Sequence, residues 1–251
     1  MHCPKCHHQQ ADQTTTCQKC GVVFAKYFKY HPPQMNPEPR EQEDRHEECE
    51  DEEGIRQPIQ WRDLLLPEQQ EKYGLYVLGR ALLLAGMGIF SLFLITAGKD
   101  SNYAGETFLH NVNLVFHEAG HVFFGILGQF IGSLGGTLGQ FIMPVLCGGT
   151  FYLKQGNLFG TIVCCWWFAE NFLDIAPYIN DARAGVLPLV GGNTGQHAPY
   201  GFHDWEYLLT ETGLINYDSV LAGISHGLGS VLMILTLVWG GMLLWKQYQS
   251  L

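Results

Sequence analysis

Positive charge is scarce in this chain relative to negative. Fourteen Lys and Arg face 24 Asp and Glu, for a formal net charge of −10. The excess is local, because residues 41–53 hold nine acids against one base, Arg45. Such a run is repelled by nucleic acid and by an anionic membrane face, so neither is expected as its partner, and it reads as a solvated tether. Beyond residue 73, charge of either sign becomes rare and long apolar runs take its place. A mean hydropathy near zero therefore averages two opposite regions rather than describing a soluble domain. Met1 leads into a Cys/His cluster, so no secretory signal peptide is expected. The one glycine-dense turn, Gly191-Gly192-Asn193-Thr194-Gly195, does not match a phosphate-binding loop.

Four of the eight cysteines form one pattern, Cys3-Pro4-Lys5-Cys6 and Cys17-Gln18-Lys19-Cys20. Each CxxC pair makes a tight turn that aims two thiolates at one tetrahedral ion, so residues 1–30 are expected to be a small zinc ribbon with one structural Zn²⁺. His7 and His8 are spare ligands there, and Val22-Val23-Phe24 is expected to cover the apolar face. Disulfides would need an oxidising compartment. Residues 31–58, polar and Pro-rich, are expected to form a disordered linker.

The remainder, 59–251, reads as an all-α polytopic membrane helix bundle of about five spans. Residues 59–73 suit an amphipathic surface segment. Spans are expected at Gly74–Ala97, Glu106–Phe130, Leu134–Leu153, Leu158–Tyr178 and Ser219–Trp245. The glycines and Pro144 of the third allow close packing or a broken helix. Arg56, Arg62 and Lys72 precede the first span while Lys99 alone follows it, which favours a cytoplasmic N-terminus.

Inside the second span lies His117-Glu118-Ala119-Gly120-His121, an HExxH motif. Residues four apart share a helix face, so the two imidazoles can grip one zinc ion while Glu118 serves as general base. Ionisable groups are costly in hydrocarbon, so this cluster asks for a functional explanation, the blander alternative being histidines that hydrogen-bond to neighbouring helices and bind nothing. A hydrolytic zinc needs a third protein ligand. Helical rise places His117 and His121 about 16 and 22 Å below Glu106, Asp174 about 24 Å below Leu158, and His226 about 20 Å from the same face. That shared depth favours Asp174, with Glu170 one turn earlier and Asp181 past Pro177 as alternatives. His226 is a candidate transition-state donor or a core histidine. The long 181–218 loop offers His203-Asp204-Trp205, which can bind metal or substrate, though a surface histidine is the blander reading of His203. His110 and Asn111 read as interfacial polar residues, and Trp166, Trp167 and Phe168 as lipid-facing or packing surface.

An intramembrane HEAGH paired with a downstream Asn-x-x-Asp stretch resembles the site-2 protease superfamily of intramembrane zinc metalloproteases. The chain is also similar to bacterial multi-pass proteins that carry HEAGH and a Pro-Tyr-Ile-x-Asp-Ala-Arg stretch. The resemblance implies His117 and His121 as ligands, Glu118 as base and Asp174 as third ligand of a catalytic zinc. It further implies a bacterial inner-membrane protein acting on a transmembrane peptide, with the ribbon recruiting a protein partner. Two other readings remain open on the residues. One is a zinc-dependent membrane hydrolase of lipids or small amides; the other is a non-enzymatic membrane adaptor working through its ribbon.

Overall fold

Where no water reaches the backbone, each N–H and C=O must be satisfied within its own segment, so long apolar runs fold as helices. The computed structural model describes residues 2–9, 11, 14–30, 65 and 74–251. They are helical, with no strand among them beyond isolated bridging pairs. Two units are distinct, Met1–Arg56 and Gln57–Leu251. The expected linker over 31–58 lies outside the described residues, as does the amphipathic segment over 59–73 apart from Leu65. The first unit contributes one short helix, α1 (Phe24–Tyr30).

The second unit contains α2 (Gly74–Ala97), α3 (Phe108–Phe124), α4 (Gln129–Leu153), α5 (Leu158–Asn180), α6 (Asp204–Glu211) and α7 (Asp218–Gln249). Four helical segments are long and apolar enough to cross a membrane: α2, α4, α5 and Ile215–Gln249, which includes α7. The expected second span is not one helix. Thr107 caps α3 by accepting the His110 N–H, a 3-10 turn follows over Gly125–Leu127, and the chain breaks at Gly128. Gly128 has φ +103°, a conformation open to glycine at little cost. With 17 residues, α3 is about 26 Å long and is not among the four. The next helix starts at Gln129 rather than Leu134 and runs unbroken through Pro144.

Neighbouring helices pack in the order α3 on α4, α4 on α5, α5 on α7 and α7 on α2. The α3–α4 contact is a glycine seam. A Cβ on Gly120 would strike the Gly135 carbonyl oxygen, and one on Gly135 would lie 2.6 Å from Phe124 Cβ. Small residues let the two backbones approach closely, a common means of helix association in membranes. The central helix is α5, whose Ala169 and Leu173 pack with Met87, Leu94, Trp166 and Met233.

Short helix α6 is docked by Leu209, buried with Ile175 and Ile179 of α5 and Ala222 of α7. The loop that carries it is fastened at both ends. Arg183 makes a two-pronged contact with Asp218, each N···O distance 2.7 Å. Lys99 donates to Asn180 and Ser219 at 3.2 and 2.9 Å. These contacts decide where the first residue of α6, Asp204, arrives.

Candidate metal centres

The two CxxC turns of the first unit repeat each other with an offset of fourteen residues. His7 N–H donates to Cys3 O and Gly21 N–H to Cys17 O, both at 2.9 Å; Cys3 N–H and Cys17 N–H donate to His8 O and Val22 O, both at 3.0 Å. His7 (φ 55°) and Gly21 (φ 69°) occupy equivalent left-handed positions. All four sulfurs lie within 4.8 Å of one another. The Cys3–Cys20 and Cys6–Cys17 separations are both 3.7 Å. A disulfide would need about 2.05 Å, whereas tetrahedral bonds of about 2.3 Å give edges of about 3.8 Å. The site thus fits one tetrahedral thiophilic ion.

Electrostatics agree with that fit. The Cys20 N–H, 3.4 Å from Cys17 Sγ, holds that thiol down to about 6. Although the Val22 backbone favours the Cys20 thiolate, burial and the neighbouring sulfurs push Cys20 up to about 12. Four sulfurs this close cannot all ionise without a cation among them. Phe24 is buried against Cys3 and Cys17 with Val22 beside it, while Val23, expected to share that face, is exposed. A unit with so small a core is of the kind that a bound metal stabilises. Chelation, or Cys6→Ser, is expected to remove amide-exchange protection from residues 2–30 and leave that of 74–251 unchanged. Persistent protection of the cysteine turns without metal contradicts this.

The second centre is assembled from three helices and a loop. His117 and His121 lie one turn apart on α3, with ring centroids 4.8 Å apart. The carboxylate beside them is that of Asp204, not of Asp174, Asp181 or Glu170. Asp204 Oδ2 is 3.0 Å from His117 Nε2 and 3.2 Å from His121 Nε2. The far side of each ring is fixed too. His117 Nδ1 donates to Gln140 Oε1 and His121 Nδ1 to Gly132 O, both at 2.8 Å, and both partners are on α4. Each neutral ring then carries its proton on Nδ1 and turns a bare Nε2 lone pair toward the same carboxylate oxygen. With both rings neutral, the three acceptors that face one another suit a shared cation. Tetrahedral bonds of about 2.0–2.1 Å give ligand–ligand edges of about 3.3 Å, close to the two distances seen. Burial alone would raise the Asp204 carboxyl, but the His117 and His121 imidazoles beside it outweigh burial and hold it below the usual carboxylate range.

Gly136 makes the arrangement possible. A Cβ there would run into His117 Nε2 and would lie 2.6 Å from His121 Nε2. The cluster opens on a cavity of ≈ 680 Å³, whose wall also includes Glu118, His110, Asp174 and Tyr178. Glu118 is exposed.

The three carboxylates expected near the metal do other work. Asp174 accepts from His110 Nδ1 at 2.8 Å and from Asn113 Nδ2 at 2.9 Å, one to two turns before His117 on α3. Glu170, fully buried, shares the same Asn113 amide at 2.9 Å. The Trp167 indole N–H donates to Asn113 Oδ1 at 2.7 Å, which fixes the amide's orientation and gives this tryptophan a polar role that its sequence setting did not suggest. His110 is accordingly part of the cavity wall, as is Asn111. Asp181 accepts the Val186 and Leu187 backbone N–H groups, each at 2.9 Å.

His203 is not on the surface but fully buried, and it caps α6 by accepting the Glu206 N–H through Nδ1. Burial holds it below the ordinary histidine range. His226 does not line the cavity; its Nε2 is buried without a hydrogen-bond partner among the described residues. The sequence did offer a sign of Asp204, since His203-Asp204-Trp205 stood out as a possible metal-binding triplet. No family model, curated protein or solved structure matches the chain, so its function is argued from these two centres.

Proposed function

We propose that the chain is a membrane-embedded zinc metallohydrolase that cleaves membrane-embedded peptide substrates, with a second, structural zinc in its ribbon. The convergence of His117 Nε2, His121 Nε2 and Asp204 Oδ2 carries this reading. Two imidazoles and one carboxylate form a donor set suited to a catalytic zinc, which keeps a further position open. A zinc ion held by them supplies Lewis acidity that polarises a carbonyl and makes water a better nucleophile. The chain's own residues do the rest. Glu118, next to His117 in sequence and exposed on the cavity wall, is the base that takes a proton from water and returns it to the leaving amine. Gln140 and Gly132 fix the tautomers of the two rings, and the Tyr178 hydroxyl, 3.3 Å from Asp204 Oδ2, steadies the carboxylate. A cavity walled by both polar and apolar side chains between α3, α4 and α5 is consistent with a substrate that enters from an apolar phase.

The test is Glu118→Gln, which keeps shape and metal ligands. Fluorogenic transmembrane peptides in liposomes should be cleaved by the wild-type chain and about 10²–10⁴-fold more slowly by the variant, with metal content equal. Equal cleavage by both proteins, or cleavage of ester lipids but no peptide, overturns the reading.

A further inference from the structure

We infer that His203 and Asp181 act together as the positioning unit for Asp204, tying its reach toward the His117/His121 pair to the strap of chain that lines the cavity. This rests on the metal-site reading above and assigns a role to two residues that touch neither metal nor substrate. Asp204 arrives from outside the α3–α4 scaffold that holds the histidines, so its placement needs separate support.

Three contacts supply that support. His203 Nδ1 accepts the Glu206 N–H at 3.2 Å, which starts α6 at the ligand itself. With Nδ1 an acceptor, the neutral ring carries its proton on Nε2, which faces Asp181 Oδ2 at 3.5 Å. The ring also lies against Tyr178, with centroids 4.3 Å apart and planes at 31°. The Tyr178 hydroxyl in turn accepts the Asp204 N–H at 3.0 Å. His203 is thus held at Nδ1 and on one face, while its buried Nε2, which makes no hydrogen bond among the described residues, has the Asp181 carboxylate as its charged neighbour. This anchors the residue from which Asp204 extends toward the imidazoles. Asp181 adds the coupling. Its two oxygens accept the N–H groups of Val186 and Leu187, and Leu187 through Val190 line the same cavity as Glu118. One carboxylate therefore fixes both the strap and the histidine behind the ligand.

Outer partners of this kind alter metal affinity about 10–100-fold when removed. The experiment is Co²⁺ titration of the full chain in detergent, reading the visible d–d bands, with the cobalt–thiolate charge-transfer band of the ribbon as internal reference. His203→Ala and Asp181→Ala are expected to weaken the second site about 10–100-fold and alter its d–d spectrum, leaving the ribbon band unchanged. His203→Asn preserves an acceptor for the helix cap. It keeps α6 folded while losing the Asp181 and Tyr178 contacts, and it should show the same spectral change. Leu243→Ala, a fully buried core position in α7, controls for destabilisation and should leave both bands as in wild type. Wild-type affinity and spectrum in both His203→Asn and Asp181→Ala overturn the inference. A wild-type chain that binds cobalt at the ribbon alone overturns the metal-site reading, and the positioning role falls with it.

Discussion

Asp204→Ala is expected to release one of two zinc ions per chain, whereas Asp174→Ala keeps both. Asp204 Oδ2 is within 3.2 Å of both imidazole Nε2 atoms, so its loss leaves two protein ligands and a broken charge balance. The loss of affinity should exceed the roughly 10–100-fold that follows removal of an outer partner. Asp174 instead holds His110 and Asn113, and its loss alters the cavity wall without opening the metal site. Elemental analysis after equilibrium dialysis against a weak chelator separates the two variants. Two zinc ions in Asp204→Ala, or one in Asp174→Ala, would return the third position to α5. The double variant His117→Ala/His121→Ala should match Asp204→Ala in stoichiometry, because all three groups serve one ion.

That contrast shows which parts of the site were legible in the sequence. The HEAGH pair and the four ribbon cysteines declare themselves through local spacing, since one helical turn or one CxxC turn brings their ligand atoms together. Asp204 has no such local relation to the histidines. Reckoning depth along helices favours residues inside apolar spans, and the third member of the cluster, the Asp204 carboxylate, comes from a short helix in the loop between α5 and α7. Its placement follows from long-range packing of Leu209 and the burial of His203, which no periodicity around residues 200–211 reveals.

The α3–α4 break was hidden for a different reason. Gly128 is preceded and soon followed by apolar residues, so hydropathy runs across it, while its positive φ turns the chain. In contrast, Gly74–Ala97 was readable to the residue, because it is apolar but for Arg80, Ser91 and Thr96 and is bounded by polar chain.

Two glycines on the facing helices α3 and α4 should fail in opposite ways when given a methyl group. Gly120 lies within the HEAGH motif, and a Cβ there meets the Gly135 carbonyl oxygen with Gly135 C at 2.8 Å and Gly136 Cα at 3.2 Å. Backbone cannot rotate aside, so Gly120→Ala must push α3 away from α4. Overpacking of this kind costs about 1–3 kcal/mol or more, set against at most about 1 kcal/mol gained from better helix propensity. Gly136→Ala instead meets the Nε2 ends of His117 and His121, which can swing on their χ angles. Its fold should stay near wild-type stability, because up to about 1 kcal/mol of helix propensity from the alanine is set against the Gln140 and Gly132 hydrogen bonds that the moving rings give up. Its metal should be lost, since both lone pairs leave the position they share with Asp204. Thermal unfolding in detergent, paired with zinc analysis, reads both effects. Gly120→Ala should melt at lower temperature than wild type. Gly136→Ala should melt as wild type does when both are compared after chelation, yet hold only the ribbon's ion. Retention of two ions by Gly136→Ala would mean that the imidazoles do not need the space this glycine leaves, whereas a wild-type chain that holds only the ribbon's ion would make the cluster a hydrogen-bonded trio rather than a metal centre.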